Sequence, residues 1–233
     1  LFSIFSISSI FNLKIGSYII LIMKNTFILD FETTGLNPYH DEIIEIAIKP
    51  YKKNKIYTKL TKPLKVKKLH KKIVEITKIT DELLESEGIY IYNAFEEMIE
   101  FIKSNITDDG PIYLLAHNGT MFDFILLQNL FKNYNNINTL SEEVKNIYNR
   151  FFYVDTLLLS RLLLPDRFSY SQNTLAKYYS IEQKAAHRAF GDVVVLEEIY
   201  ENIVRTYCMK NNLNFKEHLD INVISKLLYD YSL

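Results

Sequence analysis

The chain has one cysteine, Cys208, which excludes an internal disulfide framework and a cysteine-ligated zinc site. That thiol reads as a small buried side chain rather than a reactive one. No internal repeat and no long linker interrupts the sequence. The apolar run Ile15 to Ile22 is too short to span a bilayer. Lys14 is the one charge before it and no clear small-residue cleavage site follows it, so a convincing secretory signal is lacking. The expectation is an intracellular protein, cytoplasmic or nuclear, with no membrane partner. Charge is also lacking overall, at −1 over 233 residues. With 48% hydrophobic and 24% charged residues, the chain has the composition of one sizeable globular domain.

The near-neutral total hides a segregation. Residues 49 to 78 hold twelve lysines and a single acid, Glu75. From Asp81 to Asp109 acids dominate, and Lys103 is the only base. The lysines would either attract phosphates or merely solvate exposed strands and block edge pairing. Both readings stay open on the sequence.

Local patterns alternate between two periods. Lys24 to Phe31, the run "EIIEIAIKPY" from Glu42 and "NKIYTKL" from Asn54 read as strands. The short loops between them, one marked by Asn37-Pro38, predict antiparallel neighbours. "PIYLLAH" from Pro111 and "RFFYV" from Arg150 read as two further strands. Helical spacing is predicted over Ile91 to Ile102, from Met121, over "LLLSRLLL", over "TLAKYY" and in a long run from His187. A meander followed by alternating strands and helices is an α/β domain with a mixed central sheet.

Acids sit in unusual places within this pattern. In "NTFILDFETTGL", Asp30 and Glu32 share one strand face and Phe31 points the other way. Two carboxylates so close repel unless a cation lies between them. A solvated strand end is the alternative for that pair alone. Asp123 in "AHNGTMFDF" is expected one turn into a helix that begins at the end of a buried strand. In "HRAFGD", His187 and Asp192 are five apart, with the imidazole leaning from the loop over a site that Asp192 enters from the helix. Asp30, Glu32, Asp123 and Asp192 then converge from three segments at strand ends, where α/β proteins build sites. Four carboxylates and an imidazole suit a pair of divalent ions and a proton acceptor.

"DFETTGL", "HNGTMFD" and "HRAFGD", in that order, resemble the three motifs of the DnaQ-like 3′–5′ exonucleases of the DEDDh group. The wording of the second motif is similar to the three-prime repair branch. The resemblance covers about Lys24 to Tyr207. It implies a ribonuclease H-like fold with a five-stranded mixed sheet flanked by helices. It implies two Mg²⁺ or Mn²⁺ ions on Asp30, Glu32, Asp123 and Asp192, and His187 as general base. One departure is "TKIT" at Thr77 to Thr80, where the family often has a His-Gly-Ile-Thr-like run. Thr33, Thr34 and Gly35 would hold the terminal nucleotide, Leu36 would wedge against its base, and His117, Asn118 and Phe122 would shape further substrate contacts. A tight turn with Gly35 at positive φ explains the first group equally well. Asp155, just before a helix, is expected to be an N-cap rather than a catalytic acid.

The expectation is therefore a metal-dependent hydrolase releasing nucleoside 5′-monophosphates from the 3′ ends of single-stranded or frayed DNA. An RNA-trimming enzyme is the alternative, and a non-catalytic nucleic-acid-binding module a more distant one. Leu1 is not methionine, and Met23 stands just before the first strand. Residues 1–22 are expected to be leader or upstream sequence outside the fold, 23–207 the exonuclease domain, and 208–233 a helical extension able to dock a polymerase or repair partner.

Overall fold

The computed structural model describes residues 25–137, 141–165, 167–183 and 188–212. His187, the expected leader 1–22 and the C-terminal segment from 213 onward lie outside them.

Six strands form one mixed sheet: β1 (Thr26–Thr33), β2 (Ile43–Pro50), β3 (Tyr57–Lys62), β4 (Ile89–Tyr90), β5 (Ile112–Ala116) and β6 (Phe151–Asp155), in spatial order β4-β3-β2-β1-β5-β6. β1, β2 and β3 are the antiparallel meander that the short loops predict. β5 and β6 add in parallel beside β1. The sixth strand corrects the five-strand expectation. β4 is only two residues long and pairs parallel to the edge of β3, too short for any period to show.

Helices cover both faces. In chain order they are α1 (Lys71–Thr77), α2 (Asp81–Glu87), α3 (Ile91–Lys103), α4 (Asp123–Ile137), α5 (Glu142–Tyr148), α6 (Thr156–Leu163), α7 (Gln172–Tyr178) and α8 (Ala189–Lys210). A 3₁₀ turn, Gly119–Met121, precedes α4. Consequently Asp123 opens the helix and does not lie one turn inside it. The seven-residue α7 is read from "TLAKYY", but the equally short α1, α2 and α5, each burying only one residue, escape sequence reading. Their caps mark them instead: His70, Thr80 and Ser141 accept from Lys72, Leu83 and Val144 N–H. Lys78, in the "TKIT" departure, takes φ 60°, the left-handed region where the related run carries glycine.

The alternation of β1 sorts the two cores. Phe27, Leu29 and Phe31 pack with Phe95 and Met98 of α3 and with Phe124 and Leu127 of α4. Ile28 faces the other way, with Leu159 of α6, Leu175 of α7 and Val193, Leu196 and Ile199 of α8. All of these are buried, each contributing about 1.5–3 kcal/mol by removal from water. The stripe Ile28–Asp30–Glu32 therefore runs along the α8 side of the sheet and turns acidic at its end. Among the described residues no helix is long and apolar enough to cross a membrane.

Candidate active site

β1, β5 and β6 are parallel, so their C-terminal ends lie on one edge of the sheet. Asp30 and Glu32 close β1, and Asp155 closes β6. Asp192 arrives in the first turn of α8, the helix packed on the Ile28 face. Carboxylate oxygens of Asp30, Glu32 and Asp192 come within 4.8 Å of one another. Asp123 is not part of that group but stands beside it, accepting from Phe31 N–H at 3.2 Å. The structure thus brings Asp30, Glu32 and Asp192 together and sets Asp123 next to Phe31 on the same strand.

Their electrostatics are those of crowded, buried carboxylates. Burial pushes Asp30 well above the usual carboxylate range, and Asp123, Asp192 and Glu32 push it further. Glu32 rises to about 8, through burial first and then Asp192 and Glu45. Asp123 rises to about 7 through burial, against the N–H hydrogen bonds it accepts. An all-oxygen donor set with uncompensated negative charge fits a hard divalent cation.

A fifth acid was not foreseen. Glu45 of β2 is the register partner of Glu32 and is almost fully buried. It does not join the cluster because Arg188 neutralises it, with Nη2 at 2.7 Å and Nε at 3.1 and 3.2 Å from its oxygens. Its Oε2 also accepts from Ala189 N–H at 3.0 Å. A negative group at the start of α8 is favoured by the helix dipole. The pair pins the helix that carries Asp192 to the strand beside Glu32. Gln172 of α7 adds a second restraint, donating from Nε2 to the Asp192 carbonyl at 3.0 Å and to its Oδ1 at 3.2 Å. The one sequence signal for the pair is an acid inside the apolar run "IIEIAI".

Removing Arg188 should therefore leave Glu45 buried with only one hydrogen-bond donor. Arg188→Ala is expected to cost about 2–3 kcal/mol, below the range for a fully buried pair because the guanidinium is partly exposed. That corresponds to a fall of roughly 5–10 °C in thermal melts. Adding Glu45→Gln should recover part of the loss. A single variant that melts with the wild type would show that the pair does not hold the helix.

The substrate-side residues divide. Thr33 Oγ1 donates to the Gly35 carbonyl at 2.5 Å. Thr34 Oγ1 donates to Asp41 at 3.1 Å and accepts from Glu42 N–H at 3.0 Å. Both hydroxyls thus close the turn. No glycine among the described residues has positive φ, which corrects the expectation for Gly35. Its need for glycine is steric, since a Cβ there would meet the Asp41 carboxylate at 2.5 Å. Leu36 projects from this turn, 89% exposed.

His117 is used by the fold. Its Nε2 lies 2.8 Å from the Tyr170 carbonyl and its Nδ1 3.0 Å from the Thr156 hydroxyl. Burial lowers its pKa and keeps it neutral. Asn118 adopts φ 62° and donates its N–H to Asp155 at 3.0 Å. Asp155 also takes Thr120 N–H at 3.0 Å and caps α6 through Leu157 N–H at 2.9 Å. It is the expected cap and, in addition, the clasp of the turn leading to Asp123. Phe122 is half-buried against the core of α3 and α4. Gly119 permits the close turn, because a Cβ would meet the Phe124 ring at 2.7 Å.

A family profile described as "Exonuclease" matches residues 27–200. The chain is 33% identical over 184 residues to a PolC-type DNA polymerase III of Mycoplasma genitalium, spanning 75% of this chain but only 11% of the polymerase. A Bacillus subtilis polymerase of the same type gives 32% identity over 179 residues, again covering 11% of its length. Among solved structures, Escherichia coli exonuclease I in complex with a dT13 oligonucleotide superposes with a TM-score of 0.62 at 20% identity, over 79% of this chain and 42% of that one. Exonuclease X in complex with 5′ overhanging duplex DNA gives a TM-score of 0.54 at 20% identity, over 84% and 98%. These neighbours share the ribonuclease H-like arrangement of sheet and helices. The chain belongs to the exonuclease family.

Proposed function

We propose that this member of the exonuclease family removes nucleotides one at a time from the 3′ end of DNA, releasing nucleoside 5′-monophosphates. The observation that carries the reading is the convergence of Asp30, Glu32 and Asp192, with Asp123 beside them, on one strand edge. These four side chains would hold Mg²⁺ or Mn²⁺, two ions in our reading. A divalent cation there supplies charge neutralisation at the phosphodiester and acidifies the attacking water. His187 takes the proton as the water oxygen bonds to phosphorus, and the 3′ oxygen of the preceding nucleotide leaves. The turn from Thr33 to Leu36 offers backbone and an exposed apolar side chain to the terminal nucleotide. Asn118 and Phe122, at the turn clasped by Asp155, would supply further substrate contacts. His117 is held in place through Thr156 and Tyr170 beside the same turn.

DNA is favoured over RNA by the similarity to PolC-type polymerases, whose matching part is about a tenth of their length. That same similarity favours proofreading of a polymerase's 3′ ends as the setting. An end-labelled gel assay with linear and circular single-stranded DNA and with RNA, in Mg²⁺ and in EDTA, tests the reading. Linear DNA should shorten from its 3′ end only in Mg²⁺, and the circle should survive. Nicking of the circle would point to an endonuclease, and faster RNA shortening to an RNA-trimming enzyme.

A further inference from the structure

The site is surrounded by its own negative charge, and a DNA strand is a polyanion. Attraction must come from elsewhere, yet the chain is nearly neutral overall. Many of its lysines are already committed: Lys49 to Glu197, Lys52 to Glu201, Lys59 to Glu97 and Lys103 to Glu143. The segment between β3 and α1 is different. Lys65, Lys67, Lys71 and Lys72 are exposed, and none has an ion pair among the described residues. Of the neighbouring acids, Asp81 accepts from Leu69 N–H, Glu85 pairs with Lys62 and Glu82 lies near Lys68, which leaves Glu75, exposed one helical turn beyond Lys71 and Lys72, as a single acid beside four lysines.

Topology puts this segment at the active-site end of the sheet. β3 runs antiparallel to β2, which runs antiparallel to β1. The C-terminal end of β3 therefore lies level with Thr33, two strands and about 10 Å from β1. Glu42 joins the two loops directly. Its carboxylate accepts Leu64, Lys65 and Val66 N–H at 2.8, 2.9 and 3.1 Å. Its backbone pairs with Thr34 in the motif turn, where Thr34 N–H donates to the Glu42 carbonyl at 2.9 Å. Leu69 is buried with Ile44, Leu60 and Leu84 in a small separate core beneath the segment. The lysines are thus displayed on a fixed support, so binding would order side chains and not backbone.

We infer that Lys65, Lys67, Lys71 and Lys72 form a phosphate-binding track that holds the nucleic-acid strand upstream of its 3′-terminal nucleotides. The inference rests on the exonuclease reading for its polarity, but its electrostatics are independent of catalysis. Three charges are removed in Lys65→Gln/Lys67→Gln/Lys71→Gln. The control is Lys52→Gln/Lys53→Gln/Lys55→Gln, the same charge change on the β2–β3 loop at the other end of the sheet. Binding of a labelled 20-nucleotide single strand is followed by fluorescence anisotropy in EDTA over a range of salt. The track variant should lose affinity about tenfold or more, and its salt slope should fall by roughly 2, at ~0.7 per phosphate contact on a single strand. The control should stay within about twofold of wild type. Cleavage of a trinucleotide in Mg²⁺ should differ by no more than about twofold among the three proteins, because only one of its phosphates lies beyond the scissile bond. Equal loss in both variants, or unchanged slope in the track variant, overturns the track. If wild type binds the 20-mer through the lysines but does not cut the trinucleotide, the exonuclease reading fails and the track stands.

Discussion

Asp30→Asn and Asp192→Asn should each lower turnover by more than about 10³-fold, since several kcal/mol of charge stabilisation are expected from the bound cation and each ~1.4 kcal/mol is tenfold. The same substitutions should raise the melting temperature of the metal-free protein. Both acids are held in mutual repulsion, Asp30 by burial and by Asp123, Asp192 and Glu32. Asparagine keeps the shape and removes the charge. In Asp192→Asn the side-chain carbonyl oxygen can still accept the Gln172 amide, so the packing of α7 on α8 is preserved. The opposite signs distinguish a site built for a cation from acids that support the fold. Calorimetric titration with Mn²⁺ should show weakened binding in both variants. Unchanged Mn²⁺ affinity, or a lower melting temperature in EDTA at pH 8, would remove these residues from the metal site.

The pH dependence has a definite sign. Glu32 and Asp123 titrate at about 8 and about 7 in the folded protein, above the ordinary carboxylate values near ~4 that they regain on unfolding. Their stabilisation of the metal-free fold is complete below the unfolded values and is lost as pH rises through 7 and 8. Melts in EDTA should therefore fall between pH 5 and pH 8.5 in wild type. The fall should be shallower in Asp192→Asn, where one source of the raised Glu32 value is gone.

The acids were legible because their signals are local. Strand alternation alone assigns Asp30 and Glu32 to one face, and the stripe they continue from Ile28 is the one that α8 covers. Asp123 and Asp192 announce themselves as acids near the beginnings of apolar helices, although α4 starts at Asp123 itself, a turn later than the spacing predicts. Glu45, Arg188 and Gln172 were not legible in the same way. Their roles depend on cross-strand register and on how α7 meets α8, which no local period encodes. Gly35 shows a different limit. Sequence reading required glycine for its backbone freedom, whereas the structure requires it for the space taken by Asp41. His117 shows a third, because its contacts to Thr156 and Tyr170 join three segments distant in sequence and no local pattern encodes them.

His187→Ala should lower turnover by about 10²–10⁴-fold while leaving Mn²⁺ binding nearly intact, the usual scale for a lost general base. The prediction follows from the division of labour in the proposed mechanism. In that proposal Asp30, Glu32 and Asp192, with Asp123 beside them, would offer an all-oxygen site for hard cations, which do not require a nitrogen ligand. The residue after His187 is Arg188, whose guanidinium is spent on Glu45 and is held as a charge that a proton acceptor's role could not use. The imidazole is then the group in "HRAFGD" able to take a proton near neutral pH. Activity of the wild type should fall toward acid pH, since only neutral imidazole accepts a proton, and the residual activity of His187→Ala should lose that histidine-dependent component. Single-turnover cleavage across pH, run beside Mn²⁺ calorimetry on the same proteins, separates the roles. Should His187→Ala abolish metal binding as fully as Asp192→Asn does, His187 is a ligand and the assignment of the base is wrong.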